Sequence, residues 1–134
     1  REGVSALTRW SLRLGQAIRS RPGHIAFITN LRRAAHTDTG PGCPAPVLFV
    51  HSGIKPDQPW DSQEDSYWWA SKSFDRMTVP PPPFVAVVRG CDPSHKGVSM
   101  RPGAVTLDAG CGFGGPLACA GFDESGNIFD IINI

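Results

Sequence analysis

The sequence has no long apolar run. Its longest unbroken stretches, such as Val47-Leu48-Phe49-Val50 and the run from Phe84 to Val88, are four or five residues. A membrane span needs about 20. The opening Arg-Glu-Gly lacks the apolar stretch of a secretory leader, so a chain that stays inside the cell is expected. Cysteine is sparse: Cys43, Cys91, Cys111 and Cys119 are four in 134 residues, and no pair has C-x-x-C spacing. That spacing argues against a zinc ribbon, and the low density argues against a small disulfide framework. A reduced, cytoplasmic chain is the simpler expectation. Net charge is also small, +1. No global field draws the chain to nucleic acid, and neither nucleic acid nor a membrane is expected as a partner. No internal repeat is evident, and the only low-complexity stretch is Pro80-Pro81-Pro82-Pro83.

The sequence does carry enough apolar residues, 40% of the chain, for one domain with a real core. It also carries 15 Gly and 13 Pro, so loops and tight turns must be plentiful. Charge is unevenly spread. Residues 1–33 hold seven Arg and one Glu, whereas residues 34–134 hold six Lys or Arg and eleven Asp or Glu. An Arg-rich segment on an acidic body fits either an anionic partner or a plain solvated helix face.

Two helices are predicted first. Val4, Leu7, Trp10, Leu14, Ala17 and Ile18 recur at helical spacing, with Arg9, Arg13 and Arg19 largely off that stripe, and Pro22-Gly23 ends it. A second helical pattern runs through Ile25, Ile28, Leu31 and Ala35, before a turn-rich linker from Thr37 to Pro46. This places a domain boundary between residues 45 and 46. Beyond it about six short strands are expected. Val47–Val50 and Phe84–Val88 suit strands buried on both faces. Val98–Met100 with Val105–Leu107, and Leu117–Phe122 with Ile128–Ile132, read as hairpins. Trp60–Ala70 reads as a short helix with Asp61 as N-cap and Glu64 three residues on. The proline run reads as an extended, stiff spacer. The fold class is therefore α/β (α+β), with an N-terminal helical pair followed by strands.

Three strand ends lead into residues that can carry chemistry. In Val50-His51-Ser52-Gly53-Ile54 a His follows a buried strand, the edge at which open α/β sheets bind ligands. The other reading is a His held in a turn. In Val88-Arg89-Gly90-Cys91-Asp92-Pro93-Ser94-His95-Lys96, Cys91, Asp92 and His95 are potential metal donors, and Arg89 and Lys96 are potential phosphate partners. An ordinary Asp-Pro turn fits as well. In Leu107-Asp108-Ala109-Gly110-Cys111-Gly112-Phe113-Gly114-Gly115 the glycines match neither phosphate-loop pattern, and a strand follows them. They suit close backbone packing beside a site.

Taken in this order, the three segments resemble the C-terminal half of the calcineurin-like metallophosphoesterases, in the branch of serine/threonine protein phosphatases and diadenosine tetraphosphatases. The family's V-H-x-G-[LI] is matched by Val50–Ile54. Its V-V-x-G-H-[TD]-P is matched by Val87-Val88-Arg89-Gly90-Cys91-Asp92-Pro93, and its [IL]-D-[TA]-G-C-x-[FY]-G-G-x-L by Leu107–Leu117. Between them, Gln63–Trp69 matches an acidic stretch with a Trp. The resemblance covers about residues 46–134. It implies half of a β-sandwich flanked by helices, and a phosphatase in which two divalent ions, Mn, Fe or Zn, activate a bridging water. His51 falls on a metal-ligating His. The substrate would be a phosphoester, either a phosphoprotein or a dinucleoside polyphosphate.

The sequence also departs from the pattern. Cys91 stands where the family has its second His, and His95 is a possible substitute. Ser71 and Lys72 follow the Trp where a phosphate-binding Arg is common, which leaves Lys72 and Arg89 as phosphate-binding candidates. The family's G-D-x-H-G, G-D-x-x-D-R-G and G-N-H-E segments, which hold the other ligands and the main catalytic acid, do not occur in these 134 residues. With Arg rather than Met at residue 1, the expectation is a C-terminal fragment, inactive alone. Two alternatives remain. One is a non-catalytic module of the same origin that binds an anionic partner through its Arg-rich helices. The other is a small zinc protein using His51, Cys91, His95 and Cys111.

Overall fold

In a computed structural model the described residues are 2–42 and 44–134, with Glu2 described by its backbone alone; Arg1 and Cys43 lie outside them. The chain divides into two compact units, residues 1–32 and 33–134. The first holds α1 (Glu2–Arg19) and α2 (His24–Asn30), joined through Gly23 at φ 83°. The predicted second helix stops earlier than its periodicity suggested. Leu31 turns extended at φ −58°, ψ 131°, and Ala34–His36 forms β1 instead, paired antiparallel with β2 (Val47–Val50). A strand edge rich in unpaired amides outweighs a weak local helical pattern. The pairing spans the turn-rich linker, so β1 and β2 both lie within residues 33–134. Thr37 closes the intervening loop: its N–H donates to Val47 O (3.0 Å) and its Oγ1 accepts from Val47 N–H (2.9 Å).

The second unit is mixed α/β. Five strands form one sheet in the order β1-β2-β3-β5-β4, with β3 at Ala86–Arg89, β4 at Ser99–Arg101 and β5 at Ala104–Thr106. β2, β3 and β5 run parallel, and the short edge strands β1 and β4 run antiparallel to their neighbours. The predicted Val98–Leu107 hairpin is present as β4–β5. The last predicted hairpin is β6 (Ala118–Phe122) with β7 (Ile128–Asn133), which form a separate two-stranded sheet.

Strand alternation sorts the core into two layers. Leu48, Val50, Val87 and Ala104 face one side and pack with Ile54, Tyr67, Phe74, Met77 and Phe84. Val47, Ala86, Val88 and Val105 face the other side and pack with Phe49, Leu107, Phe122 and Ile128. The hairpin thus covers one face and a helical segment covers the other. β3 is buried at all four positions because a strand lies on each edge and a layer on each face.

The helical segment departs from the predicted single helix. It breaks into a 3₁₀ turn (Trp60–Ser62), α3 (Ser66–Trp69) and α4 (Ser71–Arg76). Asp61 makes no capping bond, and Glu64 sits at φ 49°, which a continuous helix does not allow. Gln63 explains the interruption. Its buried amide accepts from Lys55 N–H (2.8 Å) and donates to Lys55 O (2.8 Å) and Gln58 O (3.0 Å), so the chain folds around that side chain. Tyr67 OH donates to Trp60 O. The proline run is not extended throughout, since Phe84 N–H reaches back to Pro81 O (3.1 Å) in a turn.

Arg101, on edge strand β4, closes the end of α4. Its guanidinium donates to Phe74 O (3.1 Å), Asp75 O (3.2 Å) and Met77 O (3.2 Å). Phe74 itself is fully buried, between this layer and the sheet. Replacing Phe74 with Ala is expected to cost about 3–5 kcal/mol of unfolding free energy, read from urea denaturation against the parent chain. A loss below about 1 kcal/mol would mean that α4 is not packed as described.

Candidate functional site

The three motif segments meet at the carboxyl ends of β2, β3 and β5. Val50 pairs with Arg89, and Arg89 with Thr106, so the residues after each strand emerge side by side. His51 O accepts from Gly90 N–H (3.1 Å) and Cys91 N–H (2.9 Å). Asp108 Oδ2 accepts from Asp92 N–H (2.8 Å), and its Oδ1 from Gly110 N–H (2.9 Å). Residues 51, 91 and 108 are thus stitched into one edge by backbone amides.

The side chains there differ in what they offer. The His51 imidazole is exposed and rests against Trp68, ring centroids 5.2 Å apart. Ser52 and Gly53 behind it are buried, their N–H groups directed to Tyr67 O (2.9 and 3.4 Å). Gly53 is needed here because a Cβ would lie 2.4 Å from Ala70 O. Cys91 is half-buried, and its thiol is held above its ordinary pKa by burial first and by Asp108 and Asp92 next, against the opposing charge of Arg89. At neutral pH it is therefore a thiol, the weaker metal donor. His95 sits at φ 50° with its ring against Phe113, centroids 4.5 Å apart. Lys72 is exposed on α4, and Cys111 is exposed in the 3₁₀ turn Cys111–Phe113.

Arg89 is not offered to solvent. It is 3% exposed and every arm of its guanidinium is engaged. Nε donates to Thr106 Oγ1 (2.9 Å), Nη1 to Ser71 Oγ (3.1 Å), and Nη2 pairs with Asp75 (2.9 Å) and Asp92 (3.2 Å). The cation also lies 4.5 Å from the centre of the Phe74 ring. A phosphate could reach it only by displacing a carboxylate. Asp92, read from sequence as a metal donor, is 1% exposed. Burial alone would raise its pKa. The amides of Ser94 and Lys96 and the charges of Arg89 and Lys96 outweigh that, so the group stays below the ordinary aspartate value.

The structure thus brings His51, Cys91 and Asp108 to one edge. Asp92 is turned inward as a counter-ion, and Lys72 is left on the helix above. Among the described residues no group of three or more His, Cys, Asp and Glu side chains could hold a metal ion. The donors present therefore do not by themselves fit the two-ion centre that the resemblance implies, nor a zinc site of His51, Cys91, His95 and Cys111. A surface hollow of about 510 Å³ lined by Lys55, Gln63, Glu64, Asp65, Trp69 and Ser73 contains none of the strand-end residues. No helix among the described residues is long and apolar enough to cross a membrane. Comparison with protein-family models, curated proteins and solved structures gave no match.

Sequence reasoning missed the Arg89 network. The signal was present as Arg-x-x-Asp at the end of a strand predicted to be buried, where a charge must bring its own partner. Replacing Arg89 with Met is expected to cost about 3–5 kcal/mol, because Asp92 is left buried and unpaired. Adding Asp92→Asn to that variant should recover part of the loss. A single variant as stable as the parent in urea would contradict the pairing. Because the folded pKa of Asp92 lies below its unfolded value, its ionisation stabilises the fold above about pH 4 and loses that effect as pH falls below it. Asp92→Asn should remove this part of the acid dependence of the urea midpoint. An unchanged acid profile would count against the depressed pKa.

Proposed function

We propose that residues 46–134 are the C-terminal half of a calcineurin-like metallophosphoesterase domain, a metal-dependent phosphoester hydrolase. The observation that supports this reading is the meeting of the V-H-S-G-I, V-V-R-G-C-D-P and L-D-A-G-C segments along one edge. Their residues 51, 91 and 108 are 40 and 17 positions apart along the chain, yet the segments adjoin through His51 O···Cys91 N and Asp92 N···Asp108 Oδ2. Carboxyl ends of parallel strands are where such sheets bind ligands. His51, exposed and braced by Trp68, is the side chain best disposed to ligate an ion whose other ligands come from outside these 134 residues. Cys91 is the second donor on this edge, and Lys72 on α4 and Lys96 in the loop after β3 are exposed cations that a phosphate could engage. Mn, Fe or Zn would supply the activated water. The substrate class is a phosphoester, phosphoprotein and dinucleoside polyphosphate being the two forms proposed.

A second reading is a non-catalytic module of the same origin, favoured by Cys91 in place of the family His.

Two measurements test the first reading. The 134-residue chain with added Mn²⁺ is expected not to hydrolyse p-nitrophenyl phosphate. Turnover that tracks the pure protein through chromatography would show that the missing motifs are not needed. The transcript should then be read on both sides of these 134 codons. The expected result is an in-frame segment carrying G-D-x-H-G, G-D-x-x-D-R-G and G-N-H-E. In the chain that includes it, His51→Ala should lower kcat by about 100-fold or more, since loss of a direct ligand exceeds the 10–100-fold cost of losing a supporting one. An active longer chain indifferent to His51→Ala would overturn the assignment.

A further inference from the structure

The first unit carries a surface that the phosphoesterase reading does not use. α1 runs 18 residues, and Val4, Leu7, Trp10 and Leu14 lie along one side, between 44% and 74% exposed. Their spacing of three and four keeps them on one face, continued by Ala17 and Ile18. Arg13 flanks that face, whereas Arg9 and Arg19 lie on the opposite, polar side of the helix, where Leu12 is the one large apolar residue and is 59% exposed. All three are exposed, as is Arg21 beyond the helix, and among the described residues none of the four forms an ion pair. α2 follows with Ile25, Phe27 and Ile28 also exposed.

We infer that α1 lies on anionic lipid bilayers, with its apolar stripe at the boundary between headgroups and acyl chains and its arginines on the phosphates. A helix of low overall hydrophobicity with a marked apolar face and a basic polar face has the composition of an interfacial helix. Trp10 sits mid-stripe, and its amphipathic ring suits that depth. The arginine stems are long enough to bury methylenes while their heads stay among phosphates. Nucleic acid would engage the arginines and leave the stripe in water. A protein groove shaped for one helix would leave Ile25, Phe27 and Ile28 uncovered, whereas a bilayer needs no shaped cleft. The small net charge and the lack of a long apolar run argue against a span and against a global field. They do not bear on a local basic helix. The inference stands whether or not the strand edge is catalytic.

Flotation with lipid vesicles tests it on the whole chain. Vesicles of phosphatidylcholine with about a quarter phosphatidylserine should carry the chain upward, and pure phosphatidylcholine vesicles should not. Arg9→Glu/Arg13→Glu keeps the stripe and should weaken partitioning at least about tenfold. Leu7→Asp/Leu14→Asp keeps the arginines and should weaken it about 100-fold or more. Raising salt from about 0.1 M to about 0.5 M should weaken the parent's binding. Circular dichroism of each variant, matched to the parent, separates lost binding from a lost helix. A parent chain that stays with the soluble fraction overturns the inference, and that result includes a stripe covered by the chain's own second unit. So does equal binding to uncharged vesicles. Binding that survives Leu7→Asp/Leu14→Asp and is matched by a single-stranded RNA homopolymer also overturns it, and assigns the arginines to a polyanion instead.

Discussion

A permanent charge inside the sheet layer organises the second unit. A guanidinium carries only donors and a permanent charge, so the burial of Arg89 obliges the surroundings to supply acceptors. They come from separate stretches of chain: Thr106 on β5, Ser71 and Asp75 on α4, and Asp92 in the loop after β3. The guanidinium therefore measures whether helix, neighbouring strand and loop are all in place at once. The apolar layers supply most of the driving force, but they tolerate sliding. A planar fork with assigned partners on three elements does not.

The candidate edge inherits its order from that fork. Asp92 is held inward by Arg89 and by the Ser94 and Lys96 amides, which fixes the direction in which the loop leaves β3. Cys91, one residue earlier, is presented half-buried beside His51. Asp108 holds the other side of the same loop through Asp92 N–H. The chemistry proposed for this edge thus rests on residues that need not touch a substrate. In that reading Arg89 and Asp92 order the loop that adjoins His51, and His51 itself is the exposed group.

Much of the architecture was legible because strand grammar is strong where both faces are buried. Val47–Val50 and the core of Phe84–Val88 are apolar at every position, and both hairpins were flagged by turn residues between alternating runs. The misreadings share a cause. Ala35 fitted a helical stripe locally, yet β2 offered a free edge, and pairing there satisfied more backbone groups than one further helical turn. Asp61 and Glu64 had capping-box spacing, but the Gln63 side chain found four backbone partners, and the chain broke to keep them. The first case is decided by a partner strand 14 residues away, and the second by a side chain turning back on backbone four to eight residues before it; apolar periodicity registers neither. The same limit hid the network. Arg89 reads as a phosphate partner because it stands at a strand end among possible metal donors, while Ser71, Asp75 and Thr106 are distant along the chain.

Arg101 gives α4 a second tether of another kind. Where Arg89 grips the helix from within the sheet, Arg101 reaches from exposed β4 to the last carbonyls of the same helix and passes 5.8 Å from the Phe74 ring. β4 has no buried position of its own. It is held by its backbone pairing with β5 and by the Arg101 side chain that spans to the helix end. Edge strand and helix terminus thus belong to one opening unit. Lifting the end of the helix would therefore free Arg101 and leave β4 held by β5 alone.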